Sequence, residues 1–312
     1  MFKILSLDGG GSKGVYTLGV LNEVERKLGR LISDEFDLVF GTSTGSIIGT
    51  LIAVGKPISE IKDLYFTHVP DIMKKKLKRS RTKALKKLAN ETFSEMNYSD
   101  MQMYIGIVTT HIEYAKPMIF KSSVNQAHGR AATFEPGFGA PLSDAVIASC
   151  SAYPFFDKPV VKTLNQGNPR LMDGGFVANN PTLFAIAEAI KAFNIPRDEI
   201  SVLSVGVGKY PEPNRRLMNS VKDLWPFWLT GKTLDANTNT NELIRSILLD
   251  DIRCIRVNES YSQREYATDM FESDVEKLET LFQLGRVSYA KYEKEIEDLL
   301  EAPKTAIPDI ED

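Results

Sequence analysis

Cysteine is nearly absent from this chain of 312 residues: Cys150 and Cys254 lie far apart, without metal-ligand spacing. That excludes a disulfide scaffold and a thiolate metal centre, and it fits a reducing, intracellular setting. Histidine is scarce too, with only His68, His111 and His128. No apolar run is long enough to cross a bilayer, the longest lying around Ile47 to Val54. The chain enters a β-prone run at once, Phe2 to Leu7, which leaves no room for a secretory leader. A net charge of −3 gives no overall pull toward nucleic acid polymers. The expectation is a soluble, cytoplasmic protein. Its hydrophobic share of 43% and charged share of 25% are ordinary for a globular chain.

What is present is glycine in three ordered loops. Leu7-Asp8-Gly9-Gly10-Gly11-Ser12-Lys13-Gly14 follows the first apolar run, and Val15, Leu18, Val20, Leu21, Val24 and Leu28 then recur at helical spacing. A second strand, 36–40, leads into Gly41-Thr42-Ser43-Thr44-Gly45 and a small-residue helix, 46–54. Strand–loop–helix twice over predicts adjacent parallel strands with both loops at their C-terminal edge, where open α/β sheets bind ligands. Residues 56–100 read as a helical insertion, and strands are expected at 105–109, 118–121, 202–206 and 254–257. A hairpin over 160–164 and 170–172 feeds the third loop, Asp173-Gly174-Gly175. Helices are expected at 143–151, 181–193, 234–249 and 273–300, with residues 301–312 as a loose tail. No repeat or linker divides the chain, so residues 1–300 are expected to form one domain.

The middle loop is the G-x-S-x-G nucleophile elbow, in which a sharp strand-to-helix turn exposes the Ser43 hydroxyl. A serine nucleophile needs a base. No histidine follows Asp173, so the serine–acid–histidine order of α/β-hydrolases is unavailable. A Ser43–Asp173 dyad fits better, with loop N–H groups holding the oxyanion. A rival reading exists for the first loop, because Gly9, Gly11 and Gly14 satisfy the dinucleotide-binding G-x-G-x-x-G. It needs an acid closing the second strand, and that strand closes instead on Gly41-Thr42-Ser43. A phosphate loop of the G-K-[ST] type is absent. The different-class alternative is therefore a nucleotide-binding module built on residues 9–14.

Four blocks in order carry a resemblance: Asp8-Gly9-Gly10-Gly11-x-Lys13-Gly14, Gly41-x-Ser43-x-Gly45, Ala148-Ser149-x-x-Ala152-x-Pro154-x-Phe156-x-x-Pro159, and Asp173-Gly174-Gly175-x-x-x-Asn179-Asn180-Pro181. Together they resemble the patatin-like phospholipases over about residues 2–260. The resemblance implies a three-layer α/β/α fold with a mostly parallel central sheet. It also implies lipid acyl hydrolysis without calcium or any cofactor. By motif, Ser43 is the nucleophile and Asp173 the base. Gly10 and Gly11 lie in the oxyanion hole, and Gly9 and Gly14 shape its loop. Some bacterial relatives are cyclic-nucleotide-activated effectors of antiphage defence, which makes such a nucleotide a candidate partner. Within hydrolases the alternative is a general esterase or thioesterase on soluble acyl groups.

Residues 74–87 hold nine basic residues and no acid. They read either as a solvated helix face, as a docking surface for anionic lipid headgroups, or as a pocket for a phosphate-bearing effector. The cluster Trp225-Pro226-Phe227-Trp228 reads as an acyl pocket, a membrane-facing patch or core.

Overall fold

The computed structural model describes residues 1–129, 132, 134–213 and 221–305, with backbone alone over 221–227. Seven strands form one sheet: β1 (Phe2–Leu7), β2 (Leu38–Thr42), β3 (Tyr104–His111), β4 (Lys116–Lys121), β5 (Leu171–Asp173), β6 (Ile200–Val205) and β7 (Arg253–Val257). Their order is β4-β3-β2-β1-β6-β7, with β5 paired to β3. The strands β1, β2, β3, β6 and β7 run parallel, while β4 and β5 are antiparallel to β3. The central strands are apolar on both faces, as a sheet covered on both sides requires. Alternate residues divide between two cores: Leu5, Leu7 and Val39 face one, Ile4, Leu38 and Phe40 the other.

The larger core is covered by α1 (Gly14–Leu28), α2 (Ile32–Glu35), α3 (Thr44–Ala53), α4 (Ile58–Met73), α5 (Lys78–Phe93), α6 (Leu142–Ser149) and α10 (Val275–Glu301). The opposite core is closed by α7 (Gly175–Ala178) and α8 (Thr182–Lys191), with α9 (Val221–Leu248) packed against both helices. This is the three-layer α/β/α arrangement with a mostly parallel sheet.

Several elements differ from the sequence expectation for identifiable reasons. The insertion is no appendage: Ile58, Ile61, Tyr65, Val69, Ile72, Leu85, Leu88 and Phe93 join the main core, so its lysines occupy only the outer faces of two amphipathic helices. Helix α6 spans Leu142–Ser149 behind Pro141, starting one residue earlier and ending two residues earlier than the expected 143–151. Helix α9 begins thirteen residues before the expected start and runs through Pro226. The side chains of Trp225 and Phe227 lie outside the described residues, and Trp228 is half exposed. In the C-terminal segment, Thr305 donates its N–H to the Met1 carbonyl at 3.1 Å and Lys304 pairs with Asp37 at 3.0 Å. Residues 306–312 of the expected tail lie outside the described residues.

The register explains how distant loops converge. Residues Leu7 and Gly41 are partners across β1 and β2, so the chain leaves both strands at the same level. The β2–β3 pairing ends at Thr42↔Val108. The next β3 residue, Thr109, pairs with Asp173 of β5. Because β4 occupies the other edge of β3 over this stretch, β5 takes the edge that β2 has vacated. Asp173 thus arrives beside the turn at Ser43.

Candidate active site

Ser43 stands between β2 and α3 with φ 52° and ψ −121°, a left-handed conformation that a non-glycine residue adopts at a cost of about 1–3 kcal/mol. Neighbours hold it there. Its N–H donates to Ser149 Oγ at 2.9 Å, and Ser149 in turn donates to the Val108 carbonyl at 2.7 Å. Its carbonyl accepts from Ser46 N at 2.8 Å and Ser46 Oγ at 2.6 Å. The turn is so close to β1 that a Cβ on Gly45 would stand 2.2 Å from the Leu7 carbonyl oxygen, so only glycine fits.

The Asp173 carboxylate is buried and borders the same small cavity as Ser43, near enough for the Ser43 hydroxyl to act on it. Its Oδ1 also accepts from Gly175 N at 2.7 Å. No cation pairs with it among the described residues. Burial therefore dominates and pushes its pKa up to about 7, against the smaller opposing pull of the Gly175 N–H and the nearby Ser43 hydroxyl. A carboxylate tuned to neutral pH beside a hydroxyl can accept that hydroxyl's proton.

The glycine loop faces this pair. Gly10 and Gly11 line the same small cavity as Ser43 and Asp173, and their N–H groups meet no protein acceptor among the described residues. The Gly11 carbonyl is engaged by Thr44 Oγ1 at 2.8 Å and by the Tyr65 hydroxyl. Gly9 differs: its N–H donates to the Asn179 carbonyl at 3.0 Å, and any side chain there would strike Asn179 Oδ1. Gly14 closes the short 3-10 turn, its N–H directed at the Gly11 and Ser12 carbonyls. Two of the four glycines thus offer free donors, and two fix the loop. The G-x-G-x-x-G reading is weakened by the same geometry, since Gly9 has no N–H left for a phosphate.

Asn179 and Asn180 tie the Asp173 loop to α9: Asn179 N–H donates to Asn237 Oδ1 at 2.8 Å and its amide to Thr238 Oγ1 at 2.8 Å. Lys13 is half buried near Asp235, Asp269 and Asp8, and burial holds its pKa below the usual lysine value. Cys150 lines the cavity, but burial pushes its thiol far out of reactive range. None of His68, His111 and His128 borders Ser43; His111 pairs with Glu113 and His128 with Glu188. No group of three potential metal ligands is found among the described residues.

The sequence reading missed Arg256. From β7 it grips Asp8 with both guanidinium nitrogens and donates to Ser204 Oγ at 2.8 Å, anchoring the root of the glycine loop. Its signal was available: an arginine flanked by Ile255 and Val257 within a strand needs a partner if it is buried. Also missed were Met270 and Phe271, which lie over the site from a segment without regular structure.

The remainder of the cavity is apolar. Ile47, Val69, Ile72, Leu85, Leu88 and Phe156 form a slot running from Ser43 between α3, α4 and α5, and a second small void continues it toward Phe93.

A model of the patatin-like phospholipase family matches residues 5–186. The chain belongs to that family. It is 48% identical over 299 residues to the cUMP-AMP-activated phospholipase of Escherichia coli, covering 96% of this chain and 93% of that protein. It is 28% identical over 286 residues to the cGAMP-activated phospholipase of Escherichia coli strain TW11681, covering 80% and 77%. Among solved structures, VipD from Legionella pneumophila aligns over 96% of this chain and 66% of that one, at 12% identity and a TM-score of 0.49. The four patatin-like blocks fall on the elbow, the glycine loop, α6 with its following turn, and the Asp173 loop. All four meet around one small cavity.

The buried Asp173 makes a stability prediction that does not depend on its role. Below the unfolded aspartate pKa of about 4 the carboxyl is neutral in both states. Above about 7 it is charged in both, and the folded protein bears the cost of burying that charge. Asp173→Asn should therefore gain stability relative to wild type as pH rises from 5 to 8, by about 1–4 kcal/mol in urea unfolding. A stability difference independent of pH would show that Asp173 titrates normally.

Proposed function

We propose that this protein is a lipid acyl hydrolase of phospholipase A type, acting through Ser43 and Asp173. The observation that carries the reading is Ser43 and the buried Asp173 carboxylate facing one small cavity, between two unpaired glycine N–H groups and an apolar slot. Asp173 takes the hydroxyl proton as Ser43 Oγ attacks the ester carbonyl. The tetrahedral oxyanion forms beside the Gly10 and Gly11 N–H groups, each worth about 3 kcal/mol in comparable sites. Asp173 then returns the proton to the leaving alcohol, and the acyl group stays on Ser43 until water, activated by the same carboxylate, releases it. Family membership supports the ester chemistry, and the apolar slot supports a fatty acyl chain over a small soluble one.

The likeness to a cUMP-AMP-activated phospholipase supports activation of this chain by a cyclic nucleotide in the cytoplasm. The slot is consistent with a resting state. Its two voids measure about 50 and 20 Å³, against about 300–1,000 Å³ for occupied ligand pockets, so an acyl chain enters only when the walls part.

Membrane docking falls to the turn between α4 and α5. Eight of the nine basic residues of 74–87 are exposed, with Leu77 projecting among them, beside the outer wall of the slot. The ninth, Arg81, is buried with its guanidinium over the Phe271 ring at 4.5 Å. The exposed lysines are each worth about 1 kcal/mol near an anionic leaflet, screened by salt. No helix among the described residues is long and apolar enough to cross a membrane.

Ser43→Ala and Asp173→Asn should each remove nearly all release of fatty acid from vesicles, with the double variant little worse than either. Substitution of His68, His111 or His128 should leave turnover within a few-fold. Near-normal turnover by folded Asp173→Asn would remove the dyad. Reversing Lys74, Lys75, Lys76 and Lys78 to glutamate should weaken cosedimentation with anionic vesicles and flatten its salt dependence. Unchanged cosedimentation would reassign the stretch to solvent.

A further inference from the structure

A cavity of about 530 Å³, larger than the one that contains Ser43, lies beside it. It lies across a thin wall. Gly10, Asn179, Leu234, Met270 and Phe271 border both spaces, while Ser43 and Asp173 border only the small one. Lys13, Lys209, Tyr210, Lys232, Asn239 and Asn258 border only the large one. Its volume falls within the range of about 300–1,000 Å³ typical of ligand sites.

The lining has a definite chemistry. Lys209 Nζ donates to Asn239 Oδ1 at 3.0 Å, Lys232 pairs with Glu212 at 2.9 Å, and Lys13 stands among Asp235 and Asp269. Three lysines face four acids, of which Asp8 is already paired with Arg256; that balance disfavours a polyphosphate and leaves room for a ligand of low charge that meets Lys209 and Lys232 at the rim. Tyr210 is held flat against Tyr261, ring centroids 5.4 Å apart and 8° from parallel. Its hydroxyl is buried and has no hydrogen-bond partner among the described residues. The Asn239 and Asn258 amide oxygens accept from Lys209 and from Gly208 N, which leaves their NH2 groups as donors of the kind that read base edges, and aromatic faces are what bases stack on.

The wall is connected on both sides. Met270 offers its carbonyl to Ser12 N and Ser12 Oγ, both at 3.1 Å, at the end of the glycine loop. Phe271 meets the Phe155 ring edge-on at 4.7 Å and carries Arg81 of α5, whose helix forms the outer side of the slot. Thr268 and Asp269, the two residues before the wall, border the large cavity. Movement there reaches the glycine loop through Met270 and α5 through Phe271.

We propose that the large cavity is an effector site for a nucleotide phosphodiester, and that its occupancy displaces the Met270–Phe271 wall and opens the acyl slot. This rests on the lipase reading of the small cavity and supplies its regulation. A phosphodiester could also come from a lipid headgroup, so the test separates the two sources.

The experiment uses the full chain carrying Ser43→Ala, titrated in a calorimeter with cUMP-AMP and separately with glycerophosphoethanolamine. The nucleotide should bind, and a Lys209→Glu, Lys232→Glu variant should bind it at least about tenfold more weakly, or 1.4 kcal/mol. Both lysines are exposed, and unfolding midpoints verify that the variant folds. Hydrogen exchange over residues 266–273 should change when cUMP-AMP is present. Equal affinity in the lysine variant would place the site elsewhere, and unchanged exchange would reject the coupling. Binding of glycerophosphoethanolamine alone would make the cavity a headgroup pocket and overturn the proposal. Should no nucleotide bind while the Ser43-bearing protein still hydrolyses vesicles, the effector site fails and the lipase reading stands. Bound nucleotide without any vesicle hydrolysis would instead defeat the lipase reading.

Discussion

The contact between the elbow and the first strand sets the rest of the site. Parallel pairing of β1 with β2 brings Leu7 level with Gly41, and Gly45 then lies against the Leu7 carbonyl with no room for a Cβ. That approach puts the strained Ser43 turn directly beside the glycine loop leaving β1. Everything the loop does, including leaving Gly10 and Gly11 without acceptors, depends on its root staying in place. The root is Asp8, whose carboxylate is buried and would be costly alone. Arg256 pairs with it from β7, so the far edge of the sheet stabilises the loop at its centre.

Asp173 is treated in the opposite way. It is as buried as Asp8 but receives no cation among the described residues, only the Gly175 N–H and the Ser43 hydroxyl. The pairing that would stabilise its charge would also lower its basicity. Leaving it unpaired sacrifices stability at neutral pH and gains a carboxylate able to take a proton there. Burial pushes the pKa of both aspartates up; Arg256 opposes that push at Asp8, and no cation among the described residues opposes it at Asp173.

Much of this could be read in the sequence, for physical reasons that are local. The glycine loops, Ser43 and Asp173 sit at strand ends, and topology alone places adjacent parallel strand ends together. Arg256 lies 248 residues from Asp8, and only the β6–β7 pairing brings it near. The length of α9 was hidden by Pro226, which normally marks a boundary. The depth to which α4 and α5 are buried was obscured by the lysines on their outer faces. Met270 and Phe271 belong to an irregular segment with no periodic signal, so nothing in the sequence placed them over the site.

The central claim is that Asp173, tuned by burial, activates Ser43 at neutral pH. The most direct measurement is the rate at which a fluorophosphonate labels the protein between pH 5 and 9, with the modified peptide identified by mass spectrometry. The account requires a single adduct at Ser43, forming at a rate that rises through about pH 7 and loses that rise in Asp173→Asn. Label on another residue, or a Ser43 rate that does not change across pH 7, would contradict it.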